Sequence, residues 1–176
     1  AGQAELSKQA RTAGVATAPP QDLATGGFDL ASKKGLRAAV RHVRALAKNS
    51  RRLVVHLAPP CSTFSRARDR SSRTRLRSTL LPSGYRTEPH LRAATAAGNA
   101  AAWATLRIVR LVLELGGSCT VEHPAKSYMW LLWDHSKDEQ PPHQDVVLHQ
   151  CRFGTPWQKP TRVRCYGAVA SELDRR

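Results

Sequence analysis

Acidic side chains are scarce in this chain of 176 residues, which has 13 Asp and Glu against 28 Lys and Arg and a net charge of +15. The excess is mostly arginine, which pairs with phosphate through two N–H groups and stacks on bases. A nucleic acid is therefore the first partner to consider. The alternative is a protein that uses arginine where others use lysine. No helix with a basic face opposite a Trp- and Leu-rich face is evident, which argues against a membrane surface as the partner.

Long apolar runs and paired cysteines are also missing. No apolar run reaches the roughly 18 residues that a membrane-spanning helix needs, and the first residues lack the basic and apolar stretches of a secretory signal. None of the four cysteines forms a Cys-x-x-Cys pair, so we expect no structural metal site. They are Cys61, Cys119, Cys151 and Cys165. We expect an intracellular protein, nuclear or cytoplasmic, with reduced cysteines.

Apolar patterning predicts alternating helices and strands. The predicted helices cover 5–13, 33–48, 91–115 and 128–133, and the predicted strands cover 15–18, 52–57, 118–121, 145–150 and 162–166. This alternation is typical of an α/β domain with a mostly parallel, twisted sheet and helices on both faces. Ligands bind such sheets beyond the carboxyl ends of the strands. The residues that follow each strand are therefore the candidates for function.

A long segment between the strand at 52–57 and the helix at 91–115 loses all apolar patterning. We call residues 66–90 the basic loop, since arginines dominate it: Arg66, Arg68, Arg70, Arg73, Arg75, Arg77 and Arg86. Loops of this length inside a compact domain are usually functional. We expect this one to bind nucleic-acid phosphates. The predicted contacts are Ser65, Arg66, Arg68, Arg73, Arg75 and Arg77.

Cys61 is the first candidate for chemistry. It follows an apolar strand and two prolines, which fix the approach of the chain. The loop after it offers backbone N–H groups and arginines that would favour a thiolate. Cys61 is therefore a candidate nucleophile. The alternative is an ordinary small residue at the end of a strand.

Two later segments carry further candidates. Glu122 ends an apolar strand, where partial loss of water would raise its pKa into the range useful for acid–base catalysis. The alternative is a surface or helix-capping carboxylate, and we expect its neighbour His123 to be a packed or capping residue. Alternation along the last predicted strand places Arg162 and Arg164 on one face. That strand could equally be an exposed edge protected by charge.

Taken together and in this order, the three segments resemble the catalytic domain of the cytosine carbon-5 DNA methyltransferases. Residues 60–65, Pro-Cys-Ser-Thr-Phe-Ser, resemble that family's Pro-Cys-Gln-x-Phe-Ser nucleophile motif. Residues 122–124, Glu-His-Pro, occupy the place of its Glu-Asn-Val motif. Residues 153–164 resemble its Tyr/Phe-Gly-x-Pro-Gln-x-Arg-x-Arg segment. The resemblance covers about 52–166.

The resemblance implies a Rossmann-like class I S-adenosylmethionine-dependent methyltransferase. Such an enzyme transfers a methyl group to carbon 5 of cytosine in DNA through a covalent cysteine adduct. The motif positions imply Cys61 as the nucleophile, Glu122 as the acid that hydrogen-bonds the ring nitrogen and Arg162 as the contact to the base carbonyl oxygen. Arg164 would contact the nucleic acid.

The resemblance also implies residues for the cofactor S-adenosylmethionine. Residues 1–6 look like the tail of the family's glycine loop, which points to Gly2. Asp22 would bind the ribose, and Asp29 would reach the adenine amino group. Pro60 completes the implied set.

The chain departs from the family pattern at several positions. Ser62 replaces glutamine, His123 replaces asparagine, and Pro160 stands where the first arginine of the last motif would be. The family's first strand, target-recognition domain and last cofactor motif have no counterpart. Two other functions therefore stay open: a catalytically inactive, methyltransferase-like nucleic-acid-binding module, and an RNA-directed enzyme.

The expected organisation is one incomplete catalytic domain over 1–176. Its cofactor-side half would span 1–50 and its catalytic half 51–166, with a tail at 167–176. No internal repeat is visible.

Overall fold

The computed structural model describes residues 5–85, 89–136, 140–149, 151, 156 and 159–169. Its helices are α1 (Glu5–Thr12), α2 (Lys33–Lys48), α3 (Pro89–Glu114) and α4 (Tyr128–Asp134), with 3₁₀ turns at Leu23–Thr25 and Arg66–Arg70. Its strands are β1 (Val54–Leu57), β2 (Ser118–Pro124), β3 (His143–His149) and β4 (Pro160–Tyr166). The strand predicted at 15–18 is wrong, because that segment pairs with no other strand and Val15 is 55% exposed.

The four strands form one mixed sheet in the order β1-β2-β4-β3. The β1–β2 pairing is parallel, and β4 is antiparallel to both of its neighbours. β1, β2 and β3 therefore run in one direction, with β4 reversed between β2 and β3. The α/β class is confirmed and is compatible with a Rossmann-like fold, but the prediction of mostly parallel pairing is wrong. The link from β3 to β4 is shorter than the dozen or so residues that a parallel crossover needs.

The register divides the sheet into two faces. We call one the core face; its members include Cys119, Val121, His123, Arg162, Arg164 and Tyr166. We call the other the open face; its members include Val54, His56, Thr120, Glu122 and Val163. The main apolar cluster joins Val121 and Tyr166 of the core face to α3 and α4. Val54 on the open face is 62% exposed, so the described residues do not show the predicted second helical layer over this part of the sheet.

Local signals explain where the helices begin. Ser32 caps α2 by accepting a hydrogen bond from the Gly35 N–H, and Ser127 caps α4 by accepting one from the Met129 N–H. Gly35 is required where α2 meets the preceding turn, because a Cβ there would lie 2.0 Å from the carbonyl oxygen of Asp29. α3 ends beside Gly116, whose positive φ of 73° suits a helix stop.

Arg164 forms an internal ion pair that holds β3, β4 and the end of α4 together. Only 3% of its side chain is exposed, and its Nε and one terminal nitrogen bind the two carboxylate oxygens of Asp145 at 2.8 and 2.9 Å. The other terminal nitrogen donates to Gln140 at 2.7 Å and to Asp134 at 3.3 Å. Burial raises the pKa of Asp145, but the hydrogen bond and charge of Arg164 outweigh it and hold that pKa below its ordinary value. The predicted contact of Arg164 with nucleic acid is corrected here, because its donors are used inside the protein.

Removing the carboxylate of Asp145 should destabilise the fold. Asp145→Ala leaves the buried guanidinium without its two-point partner, which typically costs about 3 kcal/mol or more. Urea unfolding of the variant and the parent chain measures this difference. The matched control is Asp134→Ala, whose side chain is 43% exposed and makes a single longer contact to Arg164. Equal losses in the two variants would contradict the assignment of Asp145 as the main partner.

Candidate active site

The topology brings the described parts of the three motif segments to one edge of the sheet; residues 153–155, 157 and 158 of the third segment lie outside the described residues. β1 and β2 are parallel, so the Cys61 segment and the Glu122 segment both lie near carboxyl ends on the same side. β4 runs the opposite way, and Arg162, near its beginning, pairs with His123 near the end of β2. The segments are therefore neighbours in space, as expected at the ligand-binding edge of an α/β sheet.

Cys61 is half-buried at the start of a turn that several hydrogen bonds hold in place. The Phe64 N–H donates to the Cys61 carbonyl oxygen at 3.0 Å and closes the turn. The Phe64 carbonyl oxygen accepts from the Tyr128 N–H at 3.1 Å, and the Ser62 carbonyl oxygen accepts from Arg68 Nε at 2.8 Å. These bonds connect the turn to α4 and to the basic loop, so the Cys61 backbone is held from both sides.

Arg77 makes the hydrogen bonds that hold this turn against the basic loop and α3. It is 1% exposed, and its guanidinium lies 3.7 Å from the centre of the Phe64 ring. It donates at 2.6–3.2 Å to the carbonyl oxygens of Thr63, Pro82 and Thr95 and to the side-chain oxygens of Thr63 and Asn99. No described partner is a carboxylate, and burial lowers the pKa of Arg77 to about 10. Arg77 was predicted to bind phosphate; the structure corrects this, since the side chain is inside the protein.

Glycine at position 98 leaves room for the side chains of Thr63 and Arg77. A Cβ there would lie 2.4 Å from Thr63 Oγ1 and 3.1 Å from an Arg77 nitrogen. α3 therefore approaches the Cys61 turn with no side chain between them.

The other arginines of the basic loop combine internal bonds with exposure. Arg66 Nε donates to the Lys126 carbonyl oxygen at 3.0 Å, and Arg66 lies over the Tyr128 ring at 4.3 Å. Arg75 donates to the Asp69 carbonyl oxygen at 3.2 Å. Ser65 caps the 3₁₀ turn that follows it. The exposed basic side chains form a surface made of Arg66, Arg70, Arg73 and Arg75, with Arg68 partly exposed beside them. Arg86 lies outside the described residues.

Glu122 has a partner that sequence reasoning missed. His56 on β1 lies opposite Thr120 on β2, and its Nε2 is 3.8 Å from Glu122 Oε2. The facing imidazole lowers the pKa of Glu122; burial acts in the opposite direction without cancelling it, and the charge of Lys159 also lowers it. The expectation that the pKa of Glu122 is raised overall is therefore wrong, because the facing imidazole outweighs burial. No local pattern marks His56, because its partners come from a strand about 60 residues away.

His123 packs between the Cys61 turn and α4. It is 2% exposed, and its ring meets those of Phe64 and Trp130 edge-on, with centroid distances of 5.9 Å. Burial lowers the pKa of His123 to about 4, and the nearby Pro60 carbonyl and Glu122 oppose this only in part. We expected a packed or capping residue at this position, and the structure shows a packed one.

Arg162 is not brought to the same face as Glu122. It pairs with His123 on the core face, whereas Glu122 projects from the open face. One terminal nitrogen of Arg162 lies 3.2 Å from Asp145, and its Nε is buried without a hydrogen-bond partner. The structure therefore does not place Arg162 and Glu122 together around one base.

The predicted cofactor residues are partly described. Gly2 lies outside the described residues. Asp22 accepts the Ala24 N–H at 2.8 Å and Asp29 accepts the Ala31 N–H at 3.0 Å, each through one carboxylate oxygen in a local turn. Both aspartates and Pro60 are exposed. The carboxylates of Asp22 and Asp29 are of a type that accepts hydrogen bonds from hydroxyl and amino groups such as those of a nucleoside. Binding of S-adenosylmethionine by these residues stays a prediction.

The remaining cysteines differ sharply in access. Cys119 and Cys165 are 0% and 2% exposed, and burial raises the pKa of Cys119 to about 12. Cys151 is exposed, and all four thiols are free. Cys61 and Cys151 are therefore the accessible thiols. Within the described ranges, no group of three His, Cys, Asp or Glu side chains could hold a metal ion.

Comparison of the chain with protein-family models, with curated proteins and with solved structures found no match. The family resemblance therefore rests on the three motifs and their order. No helix in the part of the chain that the structure describes is long and apolar enough to cross a membrane.

Removing the Arg77 side chain should unfold the Cys61 turn. Arg77→Ala leaves buried carbonyl oxygens without donors, and we expect a loss of roughly 2–4 kcal/mol in the free energy of unfolding. Arg73→Ala is the matched control; it removes an exposed arginine from the same loop and should change stability by less than about 0.5 kcal/mol. Urea unfolding gives both values. An Arg77→Ala protein as stable as the parent chain would contradict the role of Arg77 in holding the Cys61 turn.

Acid should destabilise the fold through His123. The unfolded side chain titrates near 6.5 and the folded one near 4, so the unfolded state binds more protons between these values. Stability should fall as the pH is lowered from 6.5 to 4, by about 3 kcal/mol from this residue. His123→Phe keeps the aromatic packing and should remove that part of the slope, whereas His135→Asn should keep it. Urea unfolding across this pH range compares the slopes, and identical slopes for the parent and His123→Phe would refute the assignment.

Proposed function

We propose that this domain transfers a methyl group from S-adenosylmethionine to carbon 5 of cytosine in DNA, with Cys61 as the nucleophile. The observation that carries the proposal is that the Cys61 turn follows β1 and that Glu122 lies near the carboxyl end of β2, the adjacent parallel strand. Both side chains are partly exposed there. A thiol and a carboxylate at such an edge are the two groups that this chemistry needs.

The reaction follows from the electronic structure of cytosine. Carbon 5 of the free base is a poor nucleophile, so the Cys61 thiolate adds to carbon 6 and the displaced electron pair makes carbon 5 reactive. Glu122 stabilises the adduct by giving a proton to the ring nitrogen. The methyl donor, when bound, supplies an electrophilic methyl group, and Asp22, Asp29 and Pro60 would hold it. Loss of the carbon-5 proton to a base then expels the thiolate and restores the ring.

The nucleic acid would be held by the exposed basic surface. Arg66, Arg70, Arg73 and Arg75 are exposed on the loop that begins five residues after Cys61. Their charges can neutralise phosphates near the edge where Cys61 lies. A cytosine in a duplex must leave the base stack to reach the thiol. We leave Arg77, Arg162 and Arg164 out of this interface, because two are buried and Arg162 faces away from Glu122.

An inactive nucleic-acid-binding module is the second candidate. The separation of Arg162 from Glu122 favours it, because the base carbonyl oxygen would lose its predicted donor. This module would bind duplex DNA with strong salt dependence and form no covalent bond. An RNA-directed enzyme would form the same bond with structured RNA.

A DNA duplex carrying 5-fluorocytosine tests the proposed function. Fluorine at carbon 5 cannot leave as a proton, so elimination stalls and the protein should remain covalently attached. The adduct should require S-adenosylmethionine and should vanish in Cys61→Ser. Cys151→Ser is the matched control, since that thiol is also accessible, and it should leave adduct formation unchanged. Glu122→Gln should slow the reaction by about 10²–10⁴-fold.

Mass spectrometry of the product identifies the modified residue. An adduct on Cys151, or salt-dependent binding without any adduct, would refute Cys61 catalysis, and the second result would support the binding module. A fluorinated RNA hairpin run in parallel separates a DNA substrate from an RNA substrate.

A further inference from the structure

We propose that His56 is a positioning residue that supplies Glu122 with the proton that this carboxyl gives to the cytosine ring nitrogen. The inference rests on the proposed function and concerns a histidine that carries no part of the motif resemblance. It follows from a juxtaposition on the open face of the sheet. His56, Thr120 and Glu122 project there from two adjacent strands, at the edge where Cys61 lies.

The geometry orients the imidazole toward the carboxylate. Thr120 Oγ1 lies 2.9 Å from His56 Nδ1, and Glu122 Oε2 lies 3.8 Å from Nε2. A threonine hydroxyl both donates and accepts hydrogen bonds. It can donate to Nδ1 of a neutral ring or accept from Nδ1–H of a charged ring. Nε2 faces Glu122 in every state, and in the charged ring it carries the proton that can move to the carboxylate. Once that proton has moved, the neutral ring keeps its Nδ1–H on the Thr120 hydroxyl oxygen.

The pair is accessible enough to exchange protons and still interact. His56 and Glu122 have 30% and 31% of their side-chain surfaces exposed. A separation of 3.8 Å is too long for a direct hydrogen bond, but a small side-chain rotation closes it. The two side chains are therefore close enough to interact, and no direct hydrogen bond fixes them to each other.

The lowered pKa of Glu122 favours the ionised carboxylate, which lacks the proton that the reaction needs, and the facing His56 can supply that proton. An ionised carboxylate cannot give a proton to the base. In the proposed step, the imidazolium Nε2 proton moves to the ionised Glu122 at Oε2, and the carboxyl group so formed gives its proton to the ring nitrogen as the thiolate adds to carbon 6. When the thiolate leaves, the ring nitrogen returns its proton to Glu122 and the imidazole is recharged. The His56–Glu122 pair therefore ends the cycle with the protons it began with, and the carbon-5 proton leaves separately to a base.

Two other charged or titratable groups in the described residues act on Glu122. Lys159, next to the start of β4, favours the carboxylate, and His123 on β2 is held neutral by burial. Of these groups, His56 has a ring nitrogen 3.8 Å from a Glu122 carboxylate oxygen, and an imidazole can both give and take a proton.

The first experiment measures the pair without any catalysis. The chain has six glutamates, so carboxyl-labelled [¹³C]glutamate gives six signals, and Glu122→Gln identifies the one of interest. His56→Asn should raise the pKa of Glu122, because the facing imidazole is lost and burial then acts with less opposition. His135→Asn, which changes an exposed histidine at the end of α4, should leave that titration unchanged. An unaltered Glu122 titration in His56→Asn would overturn the proposal.

The second experiment measures the rate of adduct formation with the fluorinated duplex across pH. In the parent protein the pair shares a proton as one unit and should keep it to higher pH than Glu122 alone. The alkaline decline of the rate should therefore move to lower pH in His56→Asn, and lowering the pH should restore much of the lost rate. His135→Asn should follow the parent profile. A merely structural histidine would lower the rate equally at every pH.

The two readouts separate the possible failures. A parent protein that forms no adduct at any pH overturns the proposed function and the proton-supply role together, even where the titration shows coupling. A parent that forms the adduct, with the same alkaline decline in His56→Asn, overturns the role of His56 alone. Urea unfolding of His56→Asn confirms that the variants compared are equally folded.

Discussion

The buried guanidinium of Arg77 holds the candidate site together. It lies between the Cys61 turn and α3, with hydrogen bonds to both and the Phe64 ring against its plane. A charged group with so little exposure is tolerated only when its donors find acceptors. Here carbonyl and side-chain oxygens of the Cys61 turn, the basic loop and α3 provide them. The position of Cys61 thus depends on a residue sixteen places further along the chain.

The large positive charge serves two purposes in this fold. Arg77 and Arg164 are interior residues that organise the Cys61 turn and the β3–β4 pair. Arg66 and Arg75 each make an internal hydrogen bond, to the carbonyl oxygens of Lys126 and Asp69, and remain exposed, as Arg73 is. Net charge alone therefore overstates the basic surface. The exposed arginines of the basic loop are the ones that follow Cys61 closely along the chain, and they are available for phosphates.

The two faces of the sheet divide the motif residues. His123 and Arg162 belong to the core face, where aromatic rings and Asp145 surround them. Glu122 belongs to the open face with His56. This division affects the pKa of Glu122, because its carboxyl group faces the imidazole of His56 and is not surrounded only by apolar side chains. It also limits the proposed reaction centre to Cys61 and Glu122, with His56 behind the carboxyl group.

The helix and strand segments could be predicted from sequence because they depend on neighbours along the chain. The apolar run of β2, the Ser32 cap of α2 and the glycine stop after α3 are all local signals. The order of the motifs, with Cys61 and Glu122 each near the end of a strand, was also readable. Reversal of β4, burial of Arg77, the opposed faces of Glu122 and Arg162, and the His56–Glu122 pair were decided by tertiary structure. Each depends on strand register or packing between distant segments, and a one-residue change of register would exchange the faces.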